Sequence, residues 1–148
     1  MANISNSELE KLKQSLNGDL FYDEMMKAIY ATDASVYRAL PSAVCYPKDV
    51  NDIKTLIQFA RKNQTSLIPR AAGTSLAGQC VGDGIVVDIS KYFDKILEVN
   101  EKEQWVRVQP GVVRDELNRF LKPTGLFFGP NTSTCLLYTS DAADEAKC

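Results

Sequence analysis

Histidine is absent from all 148 residues, which removes every mechanism built on an imidazole base. Cysteine is scarce: four residues, at positions 45, 80, 135 and 148. No two of them stand as a CxxC pair. Neither a Cys/His zinc site nor a four-cysteine iron–sulfur site is therefore expected within the chain, and no metal ligand is assigned. Free cytosolic thiols are the simpler reading. Apolar runs last only a few residues, far short of the ~20 a membrane helix needs, so no integral membrane segment is expected. The opening stretch, MANISNSELE, has no basic region followed by an apolar one and does not read as a secretory signal. Charge bias is lacking too. Seventeen Lys+Arg against nineteen Asp+Glu give a net charge of −2, which argues against a nucleic-acid partner and against an acidic solvating tail. What is present is ordinary for a globular chain, with 45% hydrophobic and 24% charged residues, and the length suits one domain with a real core.

Residues 4–30 read as helical. Ser7 and Glu10 have capping-box spacing, and Leu9, Leu12 and Leu16 recur at helical intervals. Asn17-Gly18 breaks the run, and a second short helix is expected over residues 23–30. Ala43-Val44-Cys45-Tyr46, stopped by Pro47, suits a strand. Asp49 then caps a helix, with Asp52 in its first turn favouring the positive end of the dipole. Val50, Ile53, Ile57 and Ala60 form the expected apolar stripe. Residues 66–68 read as a second strand, so residues 43–68 predict a β-α-β unit with a parallel strand pair and a right-handed crossover. Residues 69–84 are loop and residues 85–89 a third strand. Residues 96–99 and 105–108 flank a solvated polar tip and predict a hairpin. Val112, Leu117 and Leu121 begin another amphipathic helix, closed by Pro123 and Gly125. The fold class is α+β with mixed strands.

The segment that carries chemistry is the loop PRAAGTSLAGQCVGDG, residues 69–84, which holds four of the eight glycines. Glycine tolerates positive φ and close approach, so such a loop can gather N–H groups into an anion nest suited to phosphate. Thr74 and Ser75 add hydroxyl donors, and Arg70 adds a fixed positive charge. Gly73 and Gly78 have the G-x-x-x-x-G spacing of a nucleotide-triphosphate loop, but Gln79 and Cys80 stand where that motif needs Lys and Ser/Thr. The G-x-G-x-x-G dinucleotide pattern fails as well, and a strand rather than a helix follows. A pyrophosphate held by backbone, as in a flavin dinucleotide, fits what remains. A glycine-rich surface turn without a ligand accounts for the spacing equally well.

The run IPRAAGTSLAGQCVGDGIVVDIS resembles the pyrophosphate loop of the FAD-linked oxidases with a PCMH-type flavin domain, the vanillyl-alcohol oxidase superfamily. Within it the similarity is to D-lactate dehydrogenase and glycolate oxidase flavoprotein subunits. It covers about residues 29–134. It includes Asp33-Ala34-Ser35 with Tyr37, Tyr46-Pro47-Lys48-Asp49, Val108-Gln109-Pro110-Gly111-Val112 and Gly125-Leu126-Phe127-Phe128-Gly129-Pro130. Many relatives have glycine where Ala71 and Ala72 stand, so the nest requires these two alanines to keep negative φ. Some relatives attach flavin through a histidine in this loop; Thr74 takes that place here, so the resemblance implies non-covalent FAD.

The resemblance implies the first half of a PCMH-type FAD-binding domain, truncated, from a parent enzyme that oxidises a small D-2-hydroxy acid such as D-lactate or glycolate. Hydride would pass to FAD and the electrons onward to a quinone, cytochrome or iron–sulfur protein. The cofactor-binding residues so implied are Arg70, Ala71, Ala72, Gly73, Thr74, Ser75, Gly78 and Gln79. No catalytic residue is named. Alternatives are another FAD-linked oxidase or reductase of the same fold, and a non-catalytic nucleotide-binding module. Some relatives carry a fused iron–sulfur region downstream. The implied location is the cytoplasm, with the parent enzyme at the inner face of the membrane. Asp33 and Tyr37 are read as turn and packing residues, Trp105 as core or sheet surface, and Cys80 as a small packing residue.

The chain thus divides into a helical lead-in (1–42), a partial FAD-binding domain (43–134) and a tail (135–148). The tail reads CLLYTSDAADE before its last residues and resembles a translated sequencing adapter. It is expected to be non-native and poorly packed.

Overall fold

A computed structural model describes residues 4–130 of the chain. The tail assigned above, residues 135–148, lies outside the described residues. Cα packing divides the chain into two compact units, residues 1–93 and 94–148.

The first unit is built on a four-stranded sheet. Its helices are α1 (Asn6–Ser15), α2 (Glu24–Ile29) and α3 (Val50–Asn63), and its strands are β1 (Asp19–Phe21), β2 (Ala43–Tyr46), β3 (Leu67–Arg70) and β4 (Ile85–Asp88). The capping box that starts α1 is Ser5 with Glu8, two residues earlier than the Ser7/Glu10 spacing predicts. Ser5 Oγ accepts from Glu8 N at 3.3 Å, and Ser5 N donates to Glu8 Oε2 at 2.9 Å. The helical reading of residues 4–30 is also interrupted: after the Asn17-Gly18 break the chain forms β1, antiparallel to β2.

Strand order is β1-β2-β4-β3. β2 and β3 run parallel, as the β-α-β pattern predicts, but they are not neighbours, because β4 lies between them and pairs with both. The reason lies in composition. Residues 85–88 are Ile-Val-Val-Asp, buried along their whole length, and a run apolar on both faces belongs at a sheet centre. β3 contains Pro69, which lacks a ladder N–H, and takes the edge.

The period of two along each strand sorts the side chains between faces. Ala43, Cys45, Ile85 and Val87 join Leu9, Leu12, Leu20 and Leu56 in one core cluster, which brings α1 and α3 onto that face. Val44, Val86 and Ile68 point the other way, where Met26, Tyr30 and Tyr46 pack on them. Tyr46, Asp88 and Arg70 follow in the same alternation, at the carboxyl ends of three parallel strands.

Asp49 caps α3 as expected, accepting from Asn51 N at 2.8 Å and Asp52 N at 3.0 Å. The expected stripe is rotated, however. Val50 and Ile57 are 60% and 42% exposed, while Asp52, Leu56 and Ala60 are buried.

Cys45 is buried, and burial, with Asp52 and Asp19 adding to it, pushes its thiol up to about 12. Cys80 is half-exposed. Alkylation of the native protein at pH 8 should therefore label Cys80 and spare Cys45, while in urea both should react. Peptide mass mapping reads this, and native labelling of Cys45 would show that its burial is not maintained in solution.

In the second unit, β5 (Ile96–Asn100) and β6 (Trp105–Val108) form the expected antiparallel hairpin. α4 (Arg114–Leu121) buries Leu117 and Leu121 and runs into a 3-10 turn, Lys122–Thr124, which ends at Gly125 with φ 73°. Trp105 is on the hairpin surface, its Nε1 donating to Glu103 Oε2 at 2.9 Å. Among the described residues, no helix is long and apolar enough to cross a membrane.

Candidate phosphate-binding site

The glycine-rich loop leaves β3 at its carboxyl end and returns as β4, with no helix between residues 71 and 84. In parallel sheets this is the edge at which ligands bind. Two turns in the loop need glycine. Gly73 has φ 69° and Gly78 φ 76°, a region in which a side chain is strained. Space is short as well: a Cβ on Gly73 would lie 2.4 Å from Arg70 Nη2, and one on Gly78 would lie 2.8 Å from Tyr37 Cδ2. Ala71 and Ala72 do not have positive φ, so their methyl groups place no strain on the loop.

The loop residues bond in three ways. Some are braced by the segment after α2. Arg70, in the last position of β3, donates from Nη1 to Thr32 O at 2.7 Å, and its guanidinium carbon lies 5.0 Å from the centre of the Tyr30 ring. Gly73 O accepts from Ala34 N at 3.0 Å. Asp33 Oδ2 accepts from Cys80 N at 3.4 Å, while its Oδ1 takes Ser35 N at 2.9 Å. The bonding to Ser35, supported by the Cys80 N–H, holds the Asp33 carboxyl below the usual carboxylate range. Asp33 thus sits in a turn, as the sequence predicts, whereas Tyr37 is 58% exposed.

Ser75 and Gln79 form an internal clasp. Ser75 Oγ accepts from Ala77 N at 3.3 Å and Gln79 N at 3.0 Å, and it bonds the Gln79 side-chain oxygen. The remaining residues leave donors open. The backbone N–H groups of Ala71, Ala72, Gly73, Thr74 and Ser75 have no acceptor among the described residues. Ala72 is exposed and the other four are half-buried, so these donors are open to solvent or to a ligand, and five in sequence beside the Arg70 guanidinium have the chemistry to take a multivalent anion.

Three residues of this neighbourhood were given no site role from the sequence: Tyr30, Asp88 and Tyr46. Tyr30 OH donates to Asp88 Oδ2 at 2.6 Å and lies 2.9 Å from Tyr46 OH. Burial first, then the bonds to Asp88 and Tyr46, pushes the Tyr30 phenol far above its ordinary value. The one sign in the sequence is Asp88 itself, an acid ending a run of three β-branched apolar residues.

Residues 41–139 match the FAD binding domain family, and the chain belongs to that family. D-2-hydroxyglutarate dehydrogenase of Pseudomonas putida is 43% identical over 150 residues, which span 95% of this chain and 15% of that protein. The glycolate oxidase subunit GlcD of Bacillus subtilis is 30% identical over 139 residues, 92% of this chain and 30% of its own. Among solved structures, alkyldihydroxyacetonephosphate synthase superposes with a TM-score of 0.75 at 19% identity, covering 87% of this chain and 27% of that one. That likeness shows the fold, a mixed α/β arrangement of the PCMH type.

Gly73→Ala is the direct probe of the loop. Forcing a Cβ into a left-handed position costs about 1–2 kcal/mol, and displacing the Arg70 guanidinium adds to it. In the full-length protein, FAD affinity measured by fluorescence quenching should fall roughly tenfold or more, since each 1.4 kcal/mol is about tenfold. Unchanged affinity would show that this loop takes no part in binding flavin.

Proposed function

We propose that this chain is the FAD-binding part of a flavoprotein that oxidises a D-2-hydroxy acid, with D-2-hydroxyglutarate as substrate. The observation that carries the reading is the 43% identity to a D-2-hydroxyglutarate dehydrogenase along 95% of the chain, with a loop at the sheet's carboxyl edge whose donors lack acceptors. The chain spans 15% of that relative's length, so turnover belongs to the full-length protein.

In this reading Ala71, Ala72, Gly73, Thr74 and Ser75 present their N–H groups to the pyrophosphate of FAD, with the Thr74 hydroxyl beside them, while the Ser75 hydroxyl stays in the clasp. Arg70 supplies the cation that offsets phosphate charge. Gly78 turns the chain, and Gln79 closes the clasp with Ser75. Binding is non-covalent, because a threonine at position 74 cannot form the link that a histidine forms in some relatives. FAD held there would supply a hydride acceptor for the substrate α-carbon, the hydroxyl proton would go to a base or water outside this chain, and a 2-oxo acid would leave, with a quinone, cytochrome or iron–sulfur protein as the onward electron acceptor. A quinone acceptor would put the protein at the inner face of the membrane.

The experiment is purification of the full-length protein. Acid precipitation should release free FAD into the supernatant, and an artificial dye should be reduced with D-2-hydroxyglutarate and more slowly with D-lactate or glycolate. Flavin retained in the pellet would overturn the non-covalent assignment. Bound FAD with no dye reduction by any of the three acids would favour another oxidase or reductase chemistry, and absence of flavin would overturn the reading as a whole.

A further inference from the structure

Three carboxyl-terminal strand residues converge on one side chain that lies outside the loop. Tyr46 ends β2, Arg70 ends β3 and Asp88 ends β4, and in strand register Arg70 is opposite Asp88. Tyr30, at the end of α2, meets all three. Its hydroxyl bonds Asp88 and Tyr46, and its ring face lies under the Arg70 guanidinium. Asp88 is only 6% exposed, and its other oxygen is held by Ser90 N at 2.9 Å and Ser90 Oγ at 2.6 Å.

We propose that Tyr30 is a positioning residue for the phosphate loop, seating the Arg70 guanidinium on its ring while Asp88 and Tyr46 fix its hydroxyl. The proposal rests on the flavin reading above and adds to it a residue that touches neither the loop's open donors nor the substrate. A buried carboxylate is costly unless it is fully hydrogen-bonded, and Asp88 meets that requirement partly through Tyr30. A tyrosine held at its backbone and at its hydroxyl cannot carry its ring away from the guanidinium, and a cation–π contact needs that closeness. Arg70 held there, with Nη1 on Thr32 O, cannot swing into solvent, and the guanidinium packs against the Gly73 turn. A cation held at the turn is oriented before any anion arrives, which removes an ordering cost from binding. Without the brace Arg70 is a flexible surface arginine, and the turn at Gly73 loses the wall beside it.

The test uses the full-length protein and a double-mutant cycle on FAD affinity. Tyr30→Leu should weaken FAD about tenfold and Tyr30→Phe about threefold, in the range of a partly buried cation–π contact and one hydrogen bond. In an Arg70→Ala background, Tyr30→Leu should cost less than about twofold more, because the residue acts through Arg70. Additive losses would mean that Tyr30 only supports the fold and would overturn the proposal, as would wild-type affinity in Tyr30→Leu. A second measurement needs no flavin: tryptic cleavage after Arg70 in the apoprotein should be faster in both Tyr30 variants. If the wild-type protein binds no FAD, the functional reading falls, and the cleavage rates still decide whether Tyr30 holds Arg70; equal rates overturn that. If circular dichroism shows Tyr30→Leu unfolded, Tyr30→Phe carries both measurements.

Discussion

Asp52→Ala is expected to lower the stability of the first unit by about 3–5 kcal/mol, because three backbone donors lose a charged acceptor at once. Asp52 is 1% exposed. Its Oδ1 accepts from Asn17 N at 2.8 Å, and its Oδ2 from Gly18 N at 2.9 Å and Lys48 N at 2.8 Å. One carboxylate in the first turn of α3 thus joins the break after α1 to the chain leaving β2. The approach is close: a Cβ on Gly18 would lie 2.1 Å from Tyr46 O. Truncation takes a charged acceptor from three partly buried N–H groups at once, and hydrogen bonds to a charged group are the stronger kind. Against the 5–15 kcal/mol typical of a domain, the loss is enough to leave a large unfolded fraction. Urea unfolding followed by circular dichroism should show a much lower midpoint with little change in slope. Asp52→Asn keeps the volume but turns an NH₂ toward a backbone N–H, and should fall between the two. A wild-type midpoint in Asp52→Ala would show that water replaces the carboxylate and that the junction is not a structural lock.

The same residue marks the boundary of what the sequence makes legible. Asp52 reads as a favourable charge near a helix dipole, and that local role is compatible with its place in the first turn. Its partners at positions 17 and 18 are 35 and 34 residues away, and no local pattern encodes them. Holding that end of α3 against the turn also rotates the helix, which is why Leu56 is buried and Ile57 is not. Features set by neighbours in sequence were readable: the Asp49 cap, the hairpin around residues 100–104, the glycine turns at 73 and 78. Features set by pairing order were not. Parallel strands at 43–46 and 67–70 are legible from their spacing, but the insertion of β4 between them depends on a run 15 residues further on. The contact of Tyr30 with Asp88, 58 positions further along the chain, is another such case.

The 148-residue chain by itself is expected to bind FAD at least a thousandfold more weakly than the full-length protein, and to turn over no hydroxy acid. The aligned part covers 27% of the solved flavin-fold neighbour reported above and 15% of the dehydrogenase relative, so most of each of those proteins lies outside what this chain contributes. In the proposed site the loop would offer backbone donors to one side of a pyrophosphate. Each hydrogen bond to a charged phosphate is worth ~1.5–3 kcal/mol, and two or three supplied from elsewhere in the protein account for about a thousandfold or more, at about tenfold per 1.4 kcal/mol. A second effect acts in the same direction. β3 lies at the edge of the four-stranded sheet, and an edge strand left uncovered is a template for association with other chains; Pro69 interrupts its ladder but leaves the neighbouring N–H and C=O groups open. Refolding the chain with excess FAD and following flavin fluorescence measures the first effect, and light scattering during the same refolding measures the second. Sub-micromolar binding, or dye reduction with D-2-hydroxyglutarate, would show that the loop and the three strand ends already form a complete site, and the contribution assigned to the rest of the protein would then be wrong.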